Sequence, residues 1–279
     1  MKLIPSVLNL DWTEVEARIK RFVKDYVERS EAKGVVLGLS GGIDSATTAA
    51  LSALAIGGSE VLGLMLPESE TQNEKDTRHA KLIAEKFNLK SQMCDITPVL
   101  EAFYKSMPIF DLREKICKGN VKARTRMIYI YYYANKLNLI VCGSSDKSET
   151  MMGYFTKWGD VAADIYPIMD LYKSQVRKLA HHLGIPKEIA TKPASPTLWP
   201  GQLAEDELGI EYEQLDLVLY GLEHFMTPEE ISAELNVRKE LVGRIKRRWL
   251  SAEHKRRMLL TAKLEYRTIG DDFRLQRNP

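Results

Sequence analysis

The stretch Ser40-Gly41-Gly42-Ile43-Asp44-Ser45, at residues 40–45, follows the short apolar run Gly34-Val35-Val36-Leu37-Gly38 and leads into a segment rich in alanine and leucine. The apolar, β-branched run predicts a buried strand over residues 34–40, and the segment after it predicts a helix over residues 44–56. Glycines permit a tight turn between the two, and a helix N-terminus offers unpaired N–H groups to an anion. The stretch is therefore predicted to be a phosphate-binding loop.

Asp44 distinguishes this loop from the common ATPase loop, which carries a lysine at the start of its helix. A carboxylate in this place repels a phosphate unless a cation lies between them, and Mg²⁺ prefers carboxylate plus phosphate oxygens. We therefore expect Asp44 to hold Mg²⁺ against the phosphates of a nucleotide, with the hydroxyl groups of Ser40 and Ser45 as further donors. The alternative is an ordinary turn in which Asp44 or Ser45 caps the helix.

Strand and helix patterns alternate through the first two thirds of the chain. Further strands are predicted at 60–66, near 90–95 and at 138–143, and further helices at 11–30, 73–87 and 120–136. This alternation predicts an α/β fold, with a Rossmann-like parallel sheet and helices on both faces. We expect one domain over residues 1–279, with the α/β core at about 33–210 and a helical, basic extension at about 211–279. Prolines and glycines at 193–209 predict a loop, and a loop of this length is often a lid.

The composition fits a soluble enzyme. Of the 279 residues, 44% are hydrophobic and 28% are charged, so the chain can form a packed core. No apolar stretch reaches the length of a membrane span, and the N-terminus lacks a signal-peptide pattern. The three cysteines lack a C-x-x-C pair, and Cys94 and Cys142 fall in predicted buried strands. These observations predict a cytoplasmic protein with reduced thiols.

The net charge of +2 conceals an uneven distribution. From Val237 onward there are 13 Lys or Arg against 5 Asp or Glu, a net of +8, which leaves −6 for the remainder. Such a basic segment can bind nucleic acid, form a solvated helix face, bind an anionic small ligand or pack against the core. No named nucleic-acid motif accompanies it, so nucleic acid is not an expected partner.

A second polar stretch, Gly143 to Asp164, begins where a strand is predicted to end. It reads GSSDKSETMMGYFTKWGDVAAD and mixes carboxylates with aromatic side chains. Ligands of parallel sheets bind at the carboxyl ends of the strands, so Glu149 can join Asp44 on a metal ion if the two strands are neighbours. The alternative is a surface loop with solvated charges.

Together these residues carry a family resemblance. The segments S-G-G-I-D-S, G-S-S-D-K-S-E and G-Y-F-T-K-W-G-D-V-A-A-D resemble the ammonia-dependent NAD synthetases. These enzymes belong to the ATP pyrophosphatase group, with an adenine-nucleotide α hydrolase-like fold. The similarity is strong over about residues 35–210, and the F-T-K-x-G-D segment is its most discriminating part.

The resemblance implies a ligase that converts nicotinic acid adenine dinucleotide (deamido-NAD), ATP and ammonia into NAD, AMP and pyrophosphate. The substrate carboxylate attacks the α-phosphorus of ATP to form an acyl adenylate, which ammonia then attacks. A homodimer is also implied, with Mg²⁺ as the cofactor. The phosphate loop of this group would hold the leaving pyrophosphate.

The resemblance also implies roles for individual residues. Asp44, Lys173 and Asp160 are expected to be catalytic, with Asp44 and Glu149 as magnesium ligands. The residues expected to bind ATP are Ser40, Gly41, Gly42, Ser45, Ser144, Lys173 and Ser195. Those expected to bind deamido-NAD are Arg124, Tyr154, Lys157, Asp160 and Asp164. Met65 stands where some relatives have a nucleotide-binding arginine, so that contact must be absent or be supplied elsewhere.

Two other classes of function remain open. One is an ATP pyrophosphatase that adenylates a different acid or an RNA, and the other is a non-catalytic nucleotide-binding module. The F-T-K-x-G-D segment and the lack of a C-x-x-C pair argue against the first, and the paired carboxylates with Lys173 argue against the second. No cysteine lies outside the core, so we expect the chain to use free ammonia and not glutamine. A separate glutaminase remains possible.

Overall fold

A parallel four-stranded sheet forms the centre of this computed structural model, which describes residues 2–257 and 261–268. Its strands are β1 (Val35–Gly38), β2 (Val61–Met65), β3 (Lys90–Met93) and β4 (Ile140–Val141), in the order β3-β2-β1-β4. Val36 of β1 lies opposite Leu62 on one side and Val141 on the other. The predicted α/β class with a parallel sheet is confirmed.

Helices surround this sheet and continue beyond it. They are α1 (Trp12–Arg29), α2 (Ile43–Ile56), α3 (Glu74–Lys86), α4 (Thr97–Ser106), α5 (Lys115–Leu137), α6 (Lys147–Met152), α7 (Lys173–His182), α8 (Lys187–Ala190), α9 (Ala204–Leu208), α10 (Tyr212–Glu223), α11 (Pro228–Leu235), α12 (Lys239–Ser251) and α13 (Glu253–Arg256). Side-chain caps fix several of their starts. Asp11, for example, accepts hydrogen bonds from the backbone N–H groups of Thr13 and Glu14.

Both faces of the sheet are covered. Successive side chains of a strand point to opposite faces. Val35 and Leu37 accordingly pack into a core formed with α1, α2, α3, α7 and α8, whereas Val36 packs into a second core with α4 and α5. A third core joins Met151 and Met152 of α6 to helices α9–α12. The helices that follow residue 204 therefore rest on the polar segment that contains α6.

Some local predictions were wrong. Cys94 was predicted to lie in a buried strand, but it lies just beyond β3 and is half-buried. Strand β3 is at the edge of the sheet, and all of its residues are exposed. Cys142 is buried as predicted, although β4 itself covers only two residues. Helix α4 was not predicted. Part of the stretch 193–209, predicted as a loop, forms the short helix α9. Within the described residues, none of the helices has the length and hydrophobicity that crossing a membrane requires.

Candidate active site

The turn between β1 and α2 is a compact loop that only glycine can complete. Gly41 has a φ of +79°, and a Cβ atom there would lie 2.2 Å from the backbone oxygen of Asp76. A side chain at this position is therefore excluded by both strain and collision. Helix α2 begins at Ile43, directly after the turn, and the residues of its first turn line the cavity described below.

Two serine hydroxyl groups cross-link the loop. Ser40 Oγ and Ser45 Oγ lie 3.0 Å apart, and Ser45 Oγ donates to the backbone oxygen of Gly42 at 3.0 Å. The backbone N–H of Gly42 donates to Ser40 Oγ. These bonds hold both hydroxyl groups beside the helix N-terminus, where they can donate to a phosphate once one is bound.

Four charged side chains meet next to this loop. Lys173, the first residue of α7, places its Nζ 2.7 Å from Asp44 Oδ2, 2.7 Å from Asp146 Oδ2 and 2.9 Å from Glu149 Oε1. Asp146 caps α6 and accepts a hydrogen bond from the backbone N–H of Glu149. One turn of α2, the start of α6 and the start of α7 thus converge on a single ammonium group.

The cluster is buried, and its charges depend on one another. The side chains of Lys173 and Asp146 are fully buried, whereas those of Asp44 and Glu149 retain 21% exposure. Desolvation and the neighbouring carboxylates raise the pKa of both Asp146 and Glu149. Desolvation by itself lowers the pKa of Lys173, but the three carboxylates more than reverse this and hold it well above its ordinary value. Lys173 therefore stays charged.

The same cluster fits a divalent cation. Oxygen atoms of Asp44, Asp146 and Glu149 lie within 4.8 Å of one another, and Asp44 Oδ1 is buried without a hydrogen-bond partner. With all three carboxylates ionised, the cluster would carry a formal charge of −2, which one Mg²⁺ ion would balance. Carboxylate oxygens are also the ligands that Mg²⁺ prefers. The donor set therefore agrees with the predicted ligands Asp44 and Glu149 and adds Asp146 to them.

A buried carboxylate, Asp216, links the helix starts that carry the cluster. Asp216 of α10 accepts hydrogen bonds from Ser148 Oγ at 2.5 Å and from the backbone N–H of Ser174 at 2.8 Å. Ser148 Oγ in turn accepts from the backbone N–H of Lys173 at 2.9 Å. Desolvation raises the pKa of Asp216 to about 6. Helix α10 thereby fixes the starts of α6 and α7 relative to each other.

A cavity of about 520 Å³ lies beside the loop and the cluster. This volume is within the usual range for sites that bind small molecules and cofactors. Nine of the residues predicted to be functional line it, namely Ser40, Gly42, Asp44, Ser45, Ser144, Glu149, Tyr154, Asp160 and Ser195. The structure therefore gathers five of the seven predicted ATP residues and both predicted metal ligands around one space.

Five other predicted residues lie outside the lining of this cavity: Gly41, Arg124, Lys157, Asp164 and Lys173. Gly41 shapes the loop, and Lys173 lies behind the carboxylates. Arg124 donates to the backbone oxygen of Lys157, whose Nζ donates to the backbone oxygen of His254 at 2.7 Å. Asp164 accepts from the backbone N–H of Val141 at 2.8 Å.

Asp160 and Ser195 have defined surroundings at the cavity wall. Asp160 accepts a hydrogen bond from the backbone N–H of Thr156 at 2.9 Å, and desolvation raises the pKa of its carboxyl group. Ser195 Oγ donates to the backbone oxygen of Gln202 at 2.6 Å, which folds the segment after α8 back on itself. These hydrogen bonds to backbone groups hold both side chains in place before a ligand binds.

The segment that follows α8 is tied down over the cavity by Lys122. This side chain is almost fully buried, and its Nζ lies 2.8 Å from Glu68 Oε1, 2.7 Å from Glu70 Oε2 and 2.9 Å from the backbone oxygen of Leu198. Thr71 Oγ1 also donates to the backbone oxygen of Thr197 at 3.0 Å. The segment predicted as a lid is thus closed onto α5 and the loop after β2.

The sequence analysis assigned no individual role to Asp146, Lys122 or Arg126. Asp146 was recognisable as a helix cap, because it stands three residues before a glutamate and a capping residue with this spacing is a known helix start. Lys122 and Arg126 lie on α5 among alternating charged and apolar residues, and nothing in their spacing indicates that they point inward.

The basic C-terminal helices bind backbone carbonyl groups of the core. Lys255 Nζ donates to the backbone oxygens of Gly153 and Phe155, each at 2.8 Å, and Arg256 donates to that of Met151. These oxygens lie at or just beyond the C-terminal end of α6, where cations interact favourably with the helix dipole. This arrangement favours packing against the core as the role of the described part of the basic segment.

Comparison with known proteins identifies a family for this chain. The family model for NAD synthase matches residues 15–259. An ammonia-dependent NAD synthetase from Hyperthermus butylicus is 47% identical over 252 residues, which cover 90% of this chain and 91% of that protein. Two solved structures are also similar. An NMN synthetase from Francisella tularensis has a TM-score of 0.81 at 36% identity and covers 92% of this chain and 100% of its own. An ammonia-dependent NAD synthetase from Campylobacter jejuni has a TM-score of 0.76 at 30% identity and covers 91% and 100%.

Proposed function

The chain belongs to the NAD synthase family, and we propose that it joins ammonia to the carboxylate of nicotinic acid adenine dinucleotide with cleavage of ATP to AMP and pyrophosphate. The enzyme is thus a ligase that forms a C–N bond. The observation that carries the proposal is the meeting of the phosphate loop, the acidic cluster and Asp160 around one cavity.

The first half of the reaction concentrates negative charge. The substrate carboxylate attacks the α-phosphorus of ATP, the bond to the bridging oxygen breaks, and pyrophosphate leaves with that electron pair. In this proposal the N–H groups at the start of α2 and the hydroxyl groups of Ser40 and Ser45, which lie together at the helix N-terminus, donate to the departing phosphates. Such fixed donors stabilise charge where it develops.

Magnesium is the proposed cofactor. Asp44 and Glu149, together with Asp146, would hold it, and when bound it would neutralise charge on the phosphate oxygens. Lys173 stays charged and lies within hydrogen-bond distance of all three carboxylates, so it holds them together. Its proposed catalytic role is therefore to organise the acidic side of the site.

The second half of the reaction requires ammonia to lose a proton as it attacks the acyl carbon and expels AMP. Asp160 is the proposed residue for this step. Asp160 lines the cavity, and desolvation raises the pKa of its carboxyl group, which makes it a better proton acceptor. Thr156 fixes its position through the backbone.

We propose that the enzyme is a homodimer that uses α4 and α5 as its interface. Exposed apolar side chains concentrate there, including Ile128 at 61% and Tyr132 at 64% exposure on α5. Val99 and Phe103 of α4 and Ile116 at the start of α5 extend this surface. Contiguous apolar surface of this kind marks contacts between protein chains. Light scattering should give the mass of a dimer, and Tyr132→Asp should convert it to a monomer.

A second candidate substrate is nicotinic acid mononucleotide. The similar structure from Francisella tularensis is described as an NMN synthetase. In addition, Arg124, Lys157 and Asp164, three of the five residues predicted to bind the dinucleotide, lie outside the cavity lining. The chemistry at the carboxylate is the same for both acids. Values of kcat/KM measured for each acid with one enzyme preparation distinguish them, and we expect the dinucleotide to be preferred.

The cytoplasm is the proposed location, because Cys94, Cys117 and Cys142 are all free thiols. The activity itself is tested by incubating the purified chain with ATP, MgCl₂, deamido-NAD and ammonium chloride. We expect NAD and AMP in equal amounts. Formation of AMP with an RNA or another acid, but none with deamido-NAD, would contradict the proposal.

A further inference from the structure

Arg126 projects from α5 to the cavity, and most of its guanidinium group has no partner. Its Nε donates to the backbone oxygen of Leu66 at 3.1 Å. Among the described residues, its two terminal nitrogens form no hydrogen bond, and no carboxylate forms an ion pair with it. Both terminal nitrogens keep some solvent-accessible surface, because neither is among the fully buried polar atoms without a hydrogen-bond partner.

The other basic side chains of the cavity lining are already engaged. Lys192 Nζ is bonded to Asp76, and Lys255 Nζ donates to two backbone oxygens. Arg248 donates to the backbone oxygen of Met152 and lies over the ring of Tyr154. Within the part of the lining that the structure describes, Arg126 is therefore the basic residue whose charged end is least engaged, since neither of its terminal nitrogens has a hydrogen-bond partner.

The surroundings of Arg126 make an anionic ligand favourable. Desolvation lowers the pKa of its guanidinium, and the charges of Glu68 and Asp160 offset part of that change. An arginine nevertheless stays protonated, so a charge is held at a poorly solvated wall. A buried charge without a partner is costly, and a ligand that supplies the opposite charge removes that cost.

The position of Arg126 indicates which anion it receives. Asn120, Ala123 and Arg126 all line the cavity from α5, and Asn120 accepts a hydrogen bond from Thr156, the residue that holds Asp160. Arg126 and Asp160 thus lie on the same side of the cavity and interact electrostatically, whereas the phosphate loop forms a different part of the lining. The proposed reaction requires ammonia and the carboxyl carbon to meet beside Asp160.

We propose that Arg126 binds the carboxylate of the nicotinic acid group and so selects the acid substrate over its amide product. This assignment rests on the proposed function. A guanidinium can form two parallel hydrogen bonds with a carboxylate, whereas a neutral carboxamide offers one acceptor and no charge. The acid is therefore held for adenylation, and the finished amide is held less tightly.

The test compares two ligands that differ only in this group. Binding of deamido-NAD and of NAD is measured by calorimetry for the wild type, Arg126→Gln and Arg126→Lys. Arg126→Gln should weaken binding of deamido-NAD by roughly 10-fold or more, about 1.4 kcal/mol, and change binding of NAD by less than about 2-fold. Arg126→Lys should retain part of the preference, because it keeps the charge but not the forked geometry. Arg18→Met, at an exposed site on α1, is the matched control and should change neither value.

Each other outcome has a defined meaning. Equal losses for the acid and the amide, or a loss confined to ATP, would overturn the role of Arg126. If Arg126→Gln does not fold, the ratio of the two affinities in Arg126→Lys decides, and a ratio equal to that of the wild type overturns the assignment. If the wild type binds deamido-NAD and forms NAD, and Arg126→Gln still prefers deamido-NAD over NAD as the wild type does, only this inference is refuted. A wild type that does neither refutes the proposed function as well.

Discussion

Lys173 Nζ lies 2.7 Å from Asp44 Oδ2, although 129 positions separate the two residues in the chain. The contact joins the start of α7 to the first turn of α2, so the phosphate loop and the acidic cluster are held as one unit. Asp146 and Glu149 complete the set of carboxylates around the same ammonium group. The three carboxylates are thus positioned by a buried charge that does not itself line the cavity.

Loss of Lys173 should destabilise the fold. Lys173→Met leaves three carboxylates without their cation, and removal of one partner from a buried ion pair typically costs about 3–5 kcal/mol. Urea unfolding at neutral pH measures this change. Lys24→Met, at an exposed position on α1, is the control and should leave stability nearly unaltered. Wild-type stability in Lys173→Met would show that the cluster is not a coupled unit.

Loss of Asp44 should affect catalysis more than folding. Asp44→Asn removes one ligand charge, and turnover should fall by roughly 10²-fold or more, as expected for loss of a key electrostatic group. Lys173 keeps Asp146 and Glu149 as partners, so the melting temperature should change little. Asp170→Asn, at a side chain that is 98% exposed, is the control. Near-normal turnover of Asp44→Asn at saturating Mg²⁺ would refute the assignment as a magnesium ligand.

Release of the segment that Lys122 holds should weaken ATP binding. Lys122→Met removes the bonds to Glu68, Glu70 and the backbone of Leu198, so residues 194–203 lose their attachment to α5. We expect the KM for ATP to rise by roughly 10-fold, about 1.4 kcal/mol, and proteolysis to cut within 194–203. Glu70→Gln should have a smaller effect, because Glu70 is 35% exposed and Glu68 remains bound. An unchanged KM and an unchanged cleavage pattern would contradict a role in closing the site.

Asp216 should make the stability depend on pH. Its pKa rises from 3.8 to about 6 in the folded protein, so the folded state binds the proton more tightly than the unfolded state does. The contribution of this group to stability therefore falls as the pH rises from about 4 to about 6, by about 3 kcal/mol in total. The wild type should lose this amount relative to Asp216→Asn over that range. Unfolding free energies at the two limits measure it, and parallel pH profiles would contradict it.

The sequence predicted the elements whose signal is local. The apolar run before Ser40 and the glycines after it indicated the strand, the turn and the helix N-terminus, and the structure has all three. The edge position of β3 could not be predicted, because nothing within residues 90–93 shows which strand lacks a neighbour. The reach of Lys173 depends on the packing of α7 against α2, and the inward direction of Arg126 depends on the rotation of α5. Contacts of this kind depend on how the helices pack, and the local sequence pattern does not show that packing.

The nitrogen source and the adenylation step can be tested in one reaction. Deamido-NAD labelled with ¹⁸O in its carboxylate is incubated with the purified chain, ATP, MgCl₂ and either ammonium chloride or ammonia-free glutamine, and the AMP and pyrophosphate are analysed by mass spectrometry. If the carboxylate attacks the α-phosphorus in this cavity, one ¹⁸O atom must appear in each AMP, none in pyrophosphate, and NAD must form with ammonium alone. Label in pyrophosphate, unlabelled AMP, or NAD formed from glutamine at the rate seen with ammonium would contradict the account.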